Sequence, residues 1–236
     1  MGDGQLPPNP AQVVPSSRLA ATVILVRPAP NATEVLMLRR SAASPFMPGA
    51  FVFPGGAVDS EDYERGAAPG WSDERIVAEF RATAPLELAV DQPAISLRDG
   101  HALLHAAARE LREEASVEID PAGLTLFSHW ITPAGEPRRF NTHFFIAAAP
   151  PGALGIADSV ETHDARWLSP QHALEAHRDG EMLLVFPTIK HLERLAAFAS
   201  IDALLAFARE KPIVTIMPDL PPSAGVQLPQ ALEGRW

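Results

Sequence analysis

With 236 residues, 47% of them hydrophobic, the chain can bury one full core, and it reads as one domain with an insertion. Its 29 Asp and Glu against 19 Lys and Arg leave a net charge of −10, a field that repels bare polyanions such as nucleic acid and calls for a cation between any phosphate substrate and the carboxylates. The absence of cysteine excludes disulfide frameworks, zinc–thiolate sites and thiol nucleophiles, and it fits a reducing cytoplasm, the compartment expected here.

Residues 1–16 form a Pro-rich tail with neither the basic region nor the apolar stretch of a secretory signal. Nowhere does the chain offer the roughly 18 uninterrupted apolar residues of a membrane span, so no membrane partner is expected. The domain runs over 17–218. Ala21 to Arg27 and Glu34 to Arg40 read as strands from their β-branched and apolar runs, joined as a hairpin by the turn-forming PAPNAT. A loop with Pro45, Pro48 and Gly49 leads to the apolar run Phe51 to Phe53, which Pro54, Gly55 and Gly56 stop, with backbone freedom that other residues lack.

From Ala57 to Gly100 an acidic start, a Gly/Pro interruption and a helix from Ser72 read as a helical insertion outside the core. Asp99 then serves as N-cap for a helix reaching about Ser116, whose Leu104, Ala108, Leu111 and Ala115 recur at spacings of three and four and face the core. Leu126 to Thr132, Arg139 to Ala147 and His163 to Leu168 read as strands. Ser169-Pro170 opens a helix ending near Gly180, and helices follow over about Thr188 to Ala199 and Ile201 to Lys211. Residues 219–236 read as a tail.

On a helix, Glu110, Glu113 and Glu114 fall at i, i+3 and i+4 and crowd one face, away from Leu104 and Leu111. Like charges at that spacing oppose the helix by a few tenths of a kcal/mol per pair, so something should offset them. A solvated acidic face with Arg109 and Arg112 as neighbours is one explanation. A site for Mg²⁺ or Mn²⁺ is the other, since hard cations take oxygen ligands and are often held by a few carboxylates plus substrate phosphates.

Arg109-Glu110-Leu111-Arg112-Glu113-Glu114-Ala115-Ser116-Val117 resembles the helical half of the Nudix box, G-x5-E-x7-R-E-U-x-E-E-x-G-U, where U is aliphatic. The other half resembles FPGGAVDSED, with Gly56 on the opening glycine and Asp62 on the first glutamate. Gly56 and Arg109 stand 53 positions apart, far more than the box's own spans allow, so an insertion splits the motif. Ser116 replaces the box's last glycine, and the loop after the helix is expected to differ there. Split boxes, and the segment FMPGAFVFPGG, resemble a Nudix branch that includes peroxisomal coenzyme A diphosphatases, and the likeness extends through HWITP, RFNTHFF and RWLSP.

That resemblance implies an α+β fold: a Nudix-type α/β/α sandwich with a central mixed β-sheet and a helical insertion inside the box. It implies hydrolysis of a pyrophosphate bond in a small-molecule nucleoside-diphosphate derivative, with CoA or acyl-CoA as candidates, assisted by Mg²⁺ or Mn²⁺. Glu110, Glu113 and Glu114 would hold the metal, with a backbone carbonyl near Gly55 or Gly56. Arg109 would orient a carboxylate. Either a box glutamate, Glu110 or Glu113, or the later Glu161 would take the proton of the attacking water, and Arg39 and Arg40 would bring cations toward the substrate. A separate CoA-associated signature is only partly matched, because Pro45 stands where its intervening Arg would be. Arg138, Arg139 and Lys190 are weaker phosphate candidates, and Phe46 and Trp130 are candidates to flank a base or acyl group. His101, His105, His129 and His143 lack metal-ligand spacing and read as structural or surface residues. A dinucleotide or nucleotide-sugar pyrophosphatase, a Nudix-fold sensor that binds without cutting, and a purely structural role for the Glu helix stay open, as does a homodimer.

Overall fold

β1 (Arg18–Ala29) and β2 (Ala32–Arg40) form the expected hairpin, in register from Val26↔Val35 to Ala29↔Ala32. The computed structural model describes residues 17–30, 32–44, 47–81, 95–133, 135–218 and 228. Both proposed tails, apart from Leu228, lie outside these residues, as do Pro45, Phe46 and the later part of the insertion, 82–94.

Toward its open end the hairpin splays, and β3 (Phe51–Val52) and β4 (Gly55–Ala57) fill the gap, β3 on β2 and β4 on β1. The sequence suggests a strand stop at Gly55-Gly56, whereas the structure continues as β4. Glycine is what permits this: a Cβ on Gly55 would lie 2.5 Å from the Ala21 carbonyl oxygen and 2.6 Å from Thr22 Cα. β5 (Thr125–Ile131) and β6 (Phe140–Ala148) pair antiparallel, and β6 runs parallel to β1 from Arg18↔Phe140 to Val26↔Ala148. β7 (Thr162–Leu168) joins β2, and the short β8 (Thr215–Ile216) joins β5 in parallel, so the eight-stranded sheet is mixed.

α1 (Ser60–Glu64), α2 (Asp73–Arg81) and α3 (Leu97–Ala115) cover one face; α4 (Pro170–Arg178), α5 (Phe186–Leu195) and α6 (Ile201–Glu210) cover the other. The strand alternation feeds both layers. Ala21, Val23, Leu25, Leu36 and Leu38 meet Leu103, Leu104, Ala107 and Leu111 of α3, while Ile24, Val26, Val35 and Met37 meet Ala173, Leu192 and Leu204. The fold is thus the expected α/β/α sandwich.

Three local readings need correction. The N-cap of α3 is Ser96: its hydroxyl accepts from the Asp99 amide, and Asp99, at N3, accepts in return from the Ser96 amide. A Ser with an acidic residue three places on satisfies two orphan amides together, which a cap at Asp99 would not. The insertion is not outside the core, because Ala68, Trp71, Ile76 and Phe80 are buried in the same cluster as α3. Their apolar surface stabilises the layer that carries the glutamates. Finally, Ser116 itself takes the left-handed conformation (φ 54°, ψ 35°), so the chain leaves α3 as the motif's glycine would, at a strain on the order of 1 kcal/mol.

Candidate active site

Glu110 and Glu114 stand one turn apart near the C-terminal end of α3, facing the β4 turn. The Gly55 amide donates to Glu114 Oε2 at 2.9 Å. Gly56 comes so close to Glu110 that a Cβ there would lie 2.2 Å from Oε1. Two glycines in sequence therefore let the backbone of β4 press against two carboxylates, and Gly55, Gly56, Glu110 and Glu114 form one structure.

Arg109 organises the rest. Its guanidinium makes a two-pronged pair with the buried Asp62, Nε to Oδ1 at 3.1 Å and Nη2 to Oδ2 at 2.8 Å, and donates to the Ala57 carbonyl at 3.1 Å. Nη1 reaches Glu110 Oε1 at 2.9 Å and Glu113 Oε2 at 3.1 Å. Asp62, from the insertion, thus holds the arginine that orients Glu110. The hydrogen bonds to Asp62 raise the Arg109 pKa further, outweighing burial, so it is a fixed cation. Glu113 is exposed and turned toward Arg109 and Arg112, on the rim of the pair formed by Glu110 and Glu114.

Burial pushes the Glu114 carboxyl up to about 8, opposed by the Gly55 amide and Arg40 and reinforced by the charges of Glu110 and Glu161. Glu110 is raised for the same first reason, burial, with Glu113 and Glu161 adding repulsion and Arg109 opposing it. A buried and a half-buried carboxylate whose ionised forms are disfavoured together suit a cation that would neutralise both. Among the described residues no three His, Asp or Glu side chains already converge on one metal position. The donor set still fits a hard divalent ion, which commonly completes its shell with water and phosphate oxygens.

Glu161 is exposed on the loop before β7, and its charge acts on both Glu110 and Glu114. Arg40, at the end of β2, also acts on Glu114, and its guanidinium contacts Ser44 Oγ at 2.8 Å. Arg39 is exposed and alternates to the face of Val35 and Met37, opposite α3. The structure therefore brings together Glu110, Glu114, Gly55, Gly56, Arg40 and Glu161, sets Glu113 at the margin and turns Arg39 away. Arg139 is buried against the Thr132 carbonyl, Lys190 pairs with Glu193 on α5, and His101 bonds the Ala68 amide and Asp73. Unforeseen in the sequence reading is Asp158, whose carboxylate ties down the Glu161 loop; an Asp four places before a Thr in a polar loop was the available signal.

At this same sheet edge, where β2 and β5 end and β1 and β6 begin, the opposite face holds a cavity of about 410 Å³. Trp130, Phe140, Phe144 and Phe186 give it an apolar lining, with Thr142 and Glu136 as polar groups. Its size is that of a small-molecule site.

Residues 93–186 match the NUDIX domain model. This part of the chain has the sequence of a Nudix domain. The match contains the α3 carboxylates and begins after the glycine turn, so the other half of the split box is joined to it by the contacts of Gly55, Gly56 and Asp62. The chain is 29% identical over 215 residues to nudix hydrolase 7 of Caenorhabditis elegans, covering 86% of this chain and 68% of that one. It is 28% identical over 273 residues to acyl-coenzyme A diphosphatase NUDT19 of Gallus gallus, covering 82% of this chain and 72% of that one. The crystal structure of a NUDIX hydrolase from Alicyclobacillus acidocaldarius superposes with a TM-score of 0.62 at 23% identity, covering 81% of this chain and 96% of that one, a likeness of fold. The chain keeps the Nudix box's Arg109, Glu110, Glu113 and Glu114, with Asp62 in the place of the first glutamate. No helix among its described residues is long and apolar enough to cross a membrane.

Proposed function

We propose that this Nudix hydrolase cleaves the pyrophosphate bond of a nucleoside-diphosphate-linked small molecule, with CoA or an acyl-CoA as the first candidate and 3′,5′-ADP and a phosphopantetheine as products. The observation that carries the reading is the convergence of half-buried Glu110 and buried Glu114 on the Gly55–Gly56 turn. CoA enters because relatives bear the name acyl-coenzyme A diphosphatase. Mg²⁺ or Mn²⁺ is the proposed cofactor; when bound it supplies neutralisation of the phosphate oxygens and acidification of water.

The protein's own groups do the rest. Glu110 and Glu114 offer ligand oxygens, with Glu113 at the rim, and the Gly55 amide and Arg109 fix their orientation. Arg40, whose charge acts on Glu114 from the end of β2, is the proposed partner of a phosphate oxygen. Glu161, exposed on the loop before β7 and near enough for its charge to act on both carboxylates, is the proposed base for the water proton; Glu161→Gln should then remove most of kcat while leaving metal affinity nearly unchanged. The apolar cavity is the proposed seat of the substrate's organic part.

The test is incubation with CoA, acetyl-CoA, NADH, ADP-ribose and a nucleotide sugar in turn, with Mg²⁺ or Mn²⁺, and product identification by mass. Metal-dependent cleavage lost in Glu114→Gln supports the reading and names the substrate; binding without cleavage of any compound sinks it in favour of a sensor.

A further inference from the structure

The geometry assigns Asp158 as a positioning residue that holds Glu161 opposite the α3 carboxylates; this rests on the hydrolase reading above. The loop 153–161 has little apolar anchorage: Leu154, Ile156 and Val160 are 71%, 56% and 74% exposed. Its shape comes from polar contacts, and most meet at one carboxylate. Asp158 Oδ1 accepts from the Thr162 amide at 2.8 Å, the Thr162 hydroxyl at 2.9 Å and the Val160 amide at 3.2 Å, while the Glu161 amide lies 3.1 Å from Oδ2. Ser159, inside this ring, sits at φ 66°, a left-handed conformation that a non-glycine residue adopts only where its surroundings over-determine it.

The braced turn is also fixed to both parts of the site. The Ile156 amide donates to the Ala115 carbonyl at 2.8 Å, and the Thr162 hydroxyl lies 3.2 Å from the Glu114 carbonyl, so the loop grips the end of the carboxylate helix. The Ser41 amide donates to the Glu161 carbonyl at 2.8 Å, and Ser41 Oγ shares a hydrogen bond with His163 Nε2 at 3.0 Å, next to Arg40 at the end of β2. Asp158 therefore stands where three elements meet: the end of α3, the end of β2 and the Glu161 loop. Partial burial works against its charge, and the hydrogen bonds from Thr162, Glu161 and Val160 outweigh that and keep it ionised. Asp158 touches no reacting group; it acts by fixing where Glu161 stands.

The experiment compares wild type, Asp158→Ala, Asp158→Asn, Glu161→Gln and the double variant Asp158→Ala/Glu161→Gln, reading kcat, KM and thermal midpoint on the substrate that the panel identifies. Asp158→Ala should lower kcat on the order of 100-fold with KM little changed, the size expected when a reacting group is misplaced. Asp158→Asn, which keeps an acceptor oxygen, should recover a large part of that loss. Because Asp158 works through Glu161, adding Asp158→Ala to Glu161→Gln should lower kcat less than about twofold further. Independent, multiplicative losses in the double variant, or an Asp158→Ala enzyme within about twofold of wild type, would overturn the assignment and leave the hydrolase reading standing. A wild-type protein that cleaves nothing on the panel would instead sink that reading, and the assignment with it.

Discussion

The Gly55 amide reaches across 59 positions of sequence to donate to Glu114 Oε2 at 2.9 Å, closing the two halves of a split motif into one site. Its neighbour Gly56 packs on Glu110. The two glycines are under different constraints, and the difference is measurable.

A methyl group on Gly55 would meet backbone, the Ala21 oxygen and Thr22 Cα, neither of which can yield. Gly55→Ala should therefore destabilise the fold by about 1–3 kcal/mol. On Gly56 the methyl would meet the flexible end of Glu110. Gly56→Ala should keep a near-normal thermal midpoint while displacing that carboxylate and lowering metal-dependent kcat by at least about tenfold. Equal losses of stability in both variants would show that the β4 turn is a packing feature alone.

Glu114 sets the second expectation. Its carboxyl is held up to about 8, so its protonated form stabilises the metal-free fold, fully below the ordinary value of 4.5 and progressively less as pH rises through about 8. Metal-free wild type should lose stability over that window relative to Glu114→Gln, by an amount on the order of a few kcal/mol. Mg²⁺ at pH 8 should reverse the ranking by raising the wild-type midpoint and not the variant's. Denaturant unfolding at pH 5 and pH 8, with and without Mg²⁺, measures all four states.

Much of this was legible in the sequence because it is periodic or chemically marked. The β1–β2 hairpin, the strands on either side of the α3 carboxylates and α3 itself announce themselves through alternation and through Glu110, Glu113 and Glu114 at helical spacing. What escaped was short or non-local. β8 has two residues, and β4 consists of Gly-Gly-Ala, which carries no strand preference. The burial of Trp71, Ile76 and Phe80 depends on α2 docking on α3, and the different surroundings of Arg39 and Arg40 depend on which layer covers each face of the sheet. Periodicity within one segment cannot report such partners.

The pair between Asp62 and Arg109 links the insertion to the box helix. Both side chains are nearly enclosed, and the carboxylate takes two hydrogen bonds from the guanidinium. Removing one partner leaves an uncompensated buried charge, so Asp62→Ala should cost about 3–5 kcal/mol, and Arg109→Ala a similar amount. The double variant should cost clearly less than the sum, which a double-mutant cycle in urea would measure. Additive losses would mean that the two residues stabilise the fold separately.

The cavity at Trp130 and Phe144 can be tested without disturbing the carboxylates. Leu184 lines it from the segment before α5, and Leu184→Trp would fill part of its volume. If the organic part of the substrate sits there, KM should rise on the order of tenfold with kcat largely retained, since the contact is made equally in ground and transition states. Unchanged KM for every substrate turned over would place that group elsewhere.

Three imidazoles buried in the two cores make the fold sensitive to acid. His143 is fully buried, stacked on His129 with ring centroids 4.2 Å apart, and neither of its ring nitrogens has a hydrogen-bond partner among the described residues. His129 is held between Asn141 and Thr215, and His191 between Ser128 and the Pro187 carbonyl. Burial lowers all three, His129 to about 4, His191 to about 3 and His143 well below its ordinary 6.5. The fold favours their neutral forms, so their contribution is fully present above about pH 6.5 and is lost as pH falls toward 4 and 3. Over that interval unfolding takes up as many as three protons, a slope of up to about 4 kcal/mol per pH unit. Replacing His143 by Leu removes one of those protons along with a partnerless polar ring, and the variant should gain stability relative to wild type at pH 5 while the two differ least at pH 7. Comparing the variant with wild type cancels the opposing trend from Glu114, which both share. Urea midpoints that run parallel from pH 7 to pH 5 would show that His143 is already protonated, or already solvated, in the folded protein.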